Sequence, residues 1–445
     1  PMDRNTLTWT GLAAIALALV LLLAFEGNAT ADRPIHTTAL VDTSGCVFLT
    51  VYEGKDLDSS FVLATPAPVL QAETGGLRWL VQAQAEDGGY GAGSHSRQDI
   101  RDPHAVSTDP ATTAMVAMSL MRLGNLPDSG TYGHQLGRAT EYLLVHVEKA
   151  PKDAINITDL QGTQIQVKLG ANIDVALTAQ YLSNLAAKLE SGTSFHLRVM
   201  RALNTCVGMI QRGQNSDGSQ RGDGWAGVLQ SSFAANALES AKAQGAQVDS
   251  TSLELARDFQ KANFDVSSGS AVTERAAGIT LYAVSSSTRS SAKQAREAKE
   301  RVRQAKREGR LQDDDEMSVK ALEEAGYSRS EAEKLNTAVQ VYDAAKVQSQ
   351  DANVVTGFGN NGGEEFLSFL QTGESLVIGK DDGWRSWYQQ TSGRLVDIQN
   401  PDGSWNGHHC ITSPVFCTAT ALLILSINND IEHLLAQGAV EYDAK

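Results

Sequence analysis

His408, His409, Cys410 and Cys417 place four nitrogen or sulfur ligands within one short stretch. Such a cluster could hold zinc, close a disulfide between Cys410 and Cys417, or simply pack. Adjacent histidines rarely both enter one tetrahedral site, and the spacing matches no standard finger, so metal is the least favoured of the three. Gly357-Phe-Gly359-Asn-Asn-Gly362 superficially matches a dinucleotide fingerprint, which requires a βαβ unit around it. No such alternation surrounds it, so the stretch is expected to be a tight loop leading into a helix. Glu364 and Glu365 then fall in the first turn, where the helix dipole favours carboxylates. Asp313-Asp314-Asp315 lies in a highly charged segment with no apolar pocket in view. No cofactor is expected.

These residues must be positioned by helices. From Val69 onward the pattern is of apolar helical stretches broken by Gly-rich loops, with almost no strand signal. Three loops share one design: Gln84-Ala-Glu-Asp87-Gly88, Gln214-Asn-Ser-Asp217-Gly218 and Gln399-Asn-Pro-Asp402-Gly403, each followed by an aromatic, read as Tyr90, Trp225 and Trp405. The Asp positions are 130 and 185 residues apart. The first interval is two units of about 65, the length of a helix pair with loops, and the excess in the second is expected to be an insertion. A second element recurs after the loops: Asp109-Pro-Ala-Thr112-Thr113-Ala114 and Phe416-Cys417-Thr418-Ala419-Thr420-Ala421 open helices rich in small residues. Ile173-Asp174-Val-Ala-Leu-Thr and Ser231-Ser-Phe-Ala-Ala-Asn are fainter copies. A helix apolar almost all round must be buried on both sides, so these are expected to be the inner helices of a double ring.

With its Gln-rich, Asp-Gly-aromatic loops in phase, the chain resembles the prenyltransferase and squalene-oxidase repeat family over roughly residues 69 to 435. The resemblance implies a mainly α fold, an α/α toroid of tandem helix pairs. Gly357-Phe-Gly-Asn-Asn-Gly-Gly-Glu-Glu-Phe followed by Ser404-Trp-Asn-Gly-His-His-Cys-Ile looks like membrane-anchored bacterial members. Fold does not fix function here, so each chemistry is tested on its own residues. A cyclase resembling squalene-hopene cyclase carries Asp-x-Asp-Asp-Thr-Ala, because protonating an alkene needs a carboxylic acid kept neutral beside other carboxylates. That run falls on Asp109-Pro110-Ala111-Thr112-Thr113-Ala114, where only Asp109 keeps its carboxylate. Asp109 is therefore a weak catalytic candidate and is expected to cap the inner helix. The zinc set of protein prenyltransferases is absent, with Cys417 where the family's His would stand, and Gly45-Cys46 lacks the rest of a thioester motif.

The chain has 445 residues and a formal net charge of -15, and so acidic a surface disfavours nucleic acid as a partner. Residues 5 to 25 contain no charge, enough length to span a bilayer, and are expected to be a single-pass inner-membrane anchor, with the body exported to the periplasm. The reading divides the chain into an anchor and tether (1–34), a short β segment (35–68), the first part of the toroid (69–285), a charged helical insertion (286–350) and the last part of the toroid (351–445). The insertion has 13 Lys/Arg and 12 Asp/Glu, and Ala292, Ala295, Ala298, Val302 and Ala305 form a narrow apolar seam. Arg301, Arg303, Lys306 and Arg307 are its candidate partner-binding residues. The function expected is a membrane-anchored, non-catalytic binding or scaffold subunit in an envelope complex with other envelope proteins. The alternative is a divergent terpene cyclase or a metal-dependent prenyl-type transferase.

Overall fold

A computed structural model of the chain describes residues 61–356, 363–407 and 409–439. The expected membrane helix and most of the expected β segment lie outside the described residues; from 61 to 68 there is no strand. In chain order the helices are α1 (Ala67–Gln82), α2 (Pro110–Arg122), α3 (Gly133–Lys149), α4 (Gln164–Leu169), α5 (Ile173–Ala186) and α6 (Ser194–Arg212). There follow α7 (Gly227–Ala243), α8 (Ser250–Lys261), α9 (Thr280–Arg307), α10 (Val319–Glu324), α11 (Arg329–Gln350) and α12 (Ala352–Thr356). The last four are α13 (Gly363–Ile378), α14 (Trp384–Asp397), α15 (Pro414–Leu425) and α16 (Ile431–Gln437). A two-stranded antiparallel hairpin, β1 (Phe264–Asp265) and β2 (Ser270–Ala271), connects α8 to α9.

The sequence divides these helices into two kinds. In α2 every residue from Pro110 to Met121 is buried, and in α15 every residue from Val415 to Leu425. Such helices have no solvent face and must be surrounded. By contrast α6 buries a stripe, Val199, Ala202, Leu203, Cys206, Val207 and Ile210, at three- and four-residue spacing, and turns its charged residues outward. The packing follows: α2 lies against α5, α5 against α7, α7 against α9, α9 against α13, α13 against α15, and α15 back against α2. This closed cycle is covered outside by α1, α3, α6, α8, α11 and α14. Each outer helix leads through a loop into an inner one, so the six inner helices run the same way. Their N-termini gather at one end, the head end, and their C-termini at the other, the tail end.

Three of the head-end loops are built alike. Gln84 Nε2 donates to Gly88 O at 2.9 Å and to Gln135 O of α3 at 2.9 Å. Gln214 repeats this with Gly218 O and Ser252 O of α8, and Gln399 with Gly403 O and Ala72 O of α1. Each glutamine thus ties its loop to the next outer helix. The aspartates close Asx turns, Asp87 Oδ1 accepting from Gly89 N, Asp217 Oδ1 from Ser219 N and Asp402 Oδ1 from Ser404 N. The glycine between must be glycine. Its φ is +87° at Gly88, +90° at Gly218 and +92° at Gly403, and a Cβ at Gly218 would lie 2.1 Å from Leu255 O. Two residues on, the backbone N–H reaches a hydroxyl on the following inner helix: Tyr90 to Thr113, Gln220 to Ser231, Trp405 to Thr418. The equivalent of Tyr90 in the second loop is therefore Gln220. Trp225, read as that aromatic, is 47% exposed and lies outside the shared geometry.

The segment expected as an insertion is corrected. Residues 286–350 do form a helical hairpin with the anticipated seam: Ala292, Ala295, Ala298, Val302 and Ala305 are buried in α9, and Leu335, Val339 and Tyr342 in α11. But α9 stands between α7 and α13 in the inner cycle and α11 is its outer partner. The interval between Asp217 and Asp402 holds three helix pairs, one of them lengthened, with loops before α9 and α13 that lack the Asp-Gly signature. High charge hid this because α9, at 28 residues, is the longest inner helix and its last turns carry Arg303 and Arg307 in solvent.

Candidate functional site

The head end collects carboxylates. Asp109, fully buried, is the N-cap of α2: Oδ1 accepts from Thr112 N at 2.7 Å, and Oδ2 from Thr112 Oγ1 and from Ala92 N, both at 2.9 Å. Asp174, in the first turn of α5, is equally buried; its Oδ1 accepts from Ala111 N of α2 at 3.2 Å and its Oδ2 from Gln166 Nε2 at 3.0 Å. One aspartate thus serves two neighbouring helix starts. Burial pushes Asp109 up to about 6 despite these bonds. Burial, with the charge of Asp109 beside it, pushes Asp174 up to about 7. The pair shares its protons near neutral pH. Capping by Asp109 is as expected from the sequence. Its partner Asp174 was visible there only as a letter in a faint repeat, since the pairing spans 65 residues and two helices.

On the far side of the cycle, Glu364 and Glu365 open α13 and are each 1% exposed. Tyr282 OH of α9 donates to Glu365 Oε1 at 3.1 Å, while the other Glu365 oxygen and both Glu364 oxygens have no hydrogen bond of good geometry among the described residues. Burial pushes Glu364 up to about 7, helped by the neighbouring charge of Glu365. Cys410 and Lys168 lie beside Glu364.

The Cys and His cluster comes apart in space. Cys410 and Cys417 are free thiols, which corrects the disulfide expectation. Cys417, fully buried at the start of α15, donates to Ile411 O at 3.6 Å. Cys410 instead faces Glu364 from a backbone with φ of +62°. His408 is outside the described residues. Among the described residues no group of three His, Cys, Asp or Glu is arranged to hold a metal ion.

The tail end is ionic. Arg122 Nη2 donates to Glu374 Oε1 at 2.7 Å, and its Nε lies 3.4 Å from Asp430 Oδ2. Arg289, 3% exposed, pairs with Glu239 at 3.5 Å and approaches Glu374 at 3.9 Å. Arg257 of α8 also pairs with Glu239. Burial would raise Glu239, but the positive charges of Arg257, Arg289 and Lys293 hold it at about 2. Apart from Arg289 and Lys293, which fall in the segment read as a charged insertion, these residues were not singled out in the sequence.

Bonds inside the cycle join inner helices that are separated by one neighbour: Arg122 of α2 to Glu374 of α13, and Ser232 Oγ of α7 to Gln371 Oε1 of α13 at 3.0 Å. The cavity among Met118, Gln180, Phe233, Asn236, Leu370 and His433 holds about 30 Å³, room for one or two waters. A pocket for a drug-sized ligand is about 300 to 1,000 Å³. The candidate partner-binding residues lie on the tail-end side, in the last two turns of the long helix α9: Arg303 and Arg307 exposed, Arg301 and Lys306 half-buried, with Lys306 Nζ donating to Asp313 O at 2.8 Å.

No protein-family model matches the chain, and no curated protein matches it. Among solved structures it is similar to the type II terpene cyclase MstE from Scytonema without ligand, at 13% identity over 82% of this chain and 98% of that one, with a TM-score of 0.31. A variant of MstE in complex with geranylgeranyl dihydroxybenzoate is similar at 12% identity over the same shares, also with a TM-score of 0.31. The neighbours are thus type II terpene cyclases, at a distance that carries no argument about activity.

Proposed function

We propose that the cycle of helices is an α/α toroid acting as a binding or scaffold module, tethered to the inner membrane by residues 5–25 and presented to other envelope proteins. One observation carries this reading: side chains bond inside the cycle between helices that are not neighbours, and the cavity beside them, about 30 Å³, has no room for a polyprenyl chain. What is left for recognition is the outer surface, including the exposed basic turns of α9 around Arg303 and Arg307. The test has two parts. Purified full chain incubated with geranylgeranyl and squalene-type substrates is expected to return them unchanged, and purification from native membranes is expected to bring down a defined partner. Cyclised product, or an empty purification, would end the reading.

The alternative, a divergent terpene cyclase, is favoured by one feature, the Asp109–Asp174 pair, because a buried carboxyl kept protonated near neutral pH is what alkene protonation requires. Its test is turnover that survives in Asp109→Ala but is lost in Asp174→Asn, or the reverse.

A further inference from the structure

At the head-end rim, three elements converge on one point. Thr412 N and Ser413 N both donate to Gln164 Oε1, at 2.7 and 3.1 Å, which clamps the loop carrying Cys410 onto α4. Lys168 is one turn further along α4. Gly363 N donates to Ile411 O at 3.4 Å, and the Ile411 side chain fills the space where a Cβ of Gly363 would stand, which brings the start of α13 against the same loop. The outcome is that the Cys410 thiol, the Glu364 carboxylate and the Lys168 ammonium are mutual neighbours. Glu364 is almost fully buried and neither of its oxygens is otherwise engaged. Cys410 is half-buried, at a left-handed φ that only the surrounding contacts hold in place. Lys168 is half-buried and its Nζ lies 4.4 Å from the ring centre of Trp225, itself in solvent.

We propose that Cys410 is an acyl-accepting nucleophile at the rim of the ring, with Glu364 as its general base and Lys168 as the charge that steadies the developing oxyanion. The substrate class is an activated carbonyl, a thioester or an ester. The Cys410 sulfur attacks the carbonyl carbon while its proton passes to the Glu364 carboxylate. The carbon–leaving-group bond then breaks, and the proton leaves with the alcohol or thiol released, so that a Cys410 thioester remains. Burial and the charge of Glu364 push the thiol up to about 11, so it waits protonated rather than as a free thiolate. A base beside it that titrates near 7 is suited to take the proton during attack. The groups facing Glu364 are Glu365 on its own helix, Tyr282 of α9, Lys168 of α4, Cys410, and Cys417 of α15. This activity is separate from the binding-module reading and stands if that reading falls.

The probe is p-nitrophenyl acetate with the purified full chain, following p-nitrophenolate release and locating the acetyl group by peptide mass spectrometry. Acetylation is expected on Cys410 and not on Cys206 or Cys417, both fully buried. The wild-type rate should rise to a plateau with an inflection near pH 7, whereas an unassisted thiol keeps accelerating towards its own pKa. Glu364→Gln, nearly isosteric, should slow acetylation by at least about tenfold and remove the inflection, and Lys168→Met should slow it while keeping the inflection. The proposal is overturned if Cys410 reacts no faster than glutathione at the same pH, or if the wild-type profile has no inflection near 7. The wild-type profile decides the matter even if a variant fails to fold.

Discussion

The two ends of the ring use opposite chemistry to solve one electrostatic problem. Six parallel helices present partial positive charge at the head end and partial negative charge at the tail. At the head, Asp109, Asp174, Glu364 and Glu365 sit in or beside first turns, and Asp109 and Asp174 take their hydrogen bonds from backbone N–H groups and neutral side chains. At the tail, arginines meet the C-terminal turns, Arg122 donating to Leu423 O at 3.1 Å and Arg296 to Leu435 O at 2.8 Å, and they are locked to carboxylates, Arg122 to Glu374 and Arg296 to Glu300. The difference teaches where change can occur. Charges at the tail are fixed by mutual pairing, whereas Asp109, Asp174 and Glu364 at the head hold protons that can be lost.

The strongest way to break this contrast is to remove the helix that spans it. Tyr282 meets Glu365 at the head of α9, and Arg289 meets Glu239 further along it. Replacing residues 289–345 with a short Gly/Ser linker is expected to abolish cooperative thermal unfolding, followed by circular dichroism, because it opens the inner cycle. A folded protein with a normal transition would restore the insertion reading. Next in size is the tail alone. Arg122→Met leaves Glu374 and Asp430 buried without their partner and should cost about 3 kcal/mol, read as a lowered denaturation midpoint. Arg122→Met combined with Glu374→Gln should recover part of that loss. If the single variant matches wild type, the tail network holds nothing together.

How much of this could be read in the sequence depended on whether the signal was local. The Gln–Asp–Gly loops were legible because the turn itself, from the glutamine to the glycine carbonyl, closes within five residues, and the inner helices α2 and α15 because being apolar all round is a local pattern. Capping by Asp109 was legible for the same reason. The fourth inner helix was missed because α9 buries Ser285, Ser286, Ser287, Thr288 and Arg289, a polar run that mimics a solvated arm until its neighbours are known. The Asp109–Asp174 and Arg122–Glu374 pairings were out of reach because each joins residues far apart in the chain. The disulfide was expected from proximity along the chain and from export to an oxidising compartment; the φ of +62° at Cys410 and the hydrogen bond of Cys417 to Ile411 turn the two sulfurs to different neighbours.

The head end is sharpened by pH. A carboxyl whose folded value lies above its unfolded one binds protons more tightly when folded, so stability falls as pH rises from about 4 to about 7 and is flat above. For Asp174, raised to about 7, the integrated loss is on the order of 4 kcal/mol, before its coupling to Asp109 is counted. Asp174→Asn keeps the side chain's shape and removes its titration. Its urea midpoint should therefore vary less with pH across that window than wild type does, although Glu73 and Glu364, both also raised to about 7, leave a residual slope of the same sign. Parallel curves for variant and wild type would mean that Asp174 stays ionised in the fold.

The smallest effect is expected at the outermost layer of the head end, where the loop glutamines act. Gln399 Nε2 bridges Gly403 O of its own loop and Ala72 O of α1 and is half-buried. Gln399→Ala removes two bonds to carbonyls that water can partly reach, so a loss of about 1 kcal/mol is expected, and the same for Gln84 and Gln214. The three glutamines share no hydrogen-bond partner, so their costs should add in the triple variant. Additivity would show that each loop fastens its own pair of outer helices. A triple loss much larger than the sum would instead mean that the loops close the ring together, so that the head end, and not the ionic tail, holds the cycle shut.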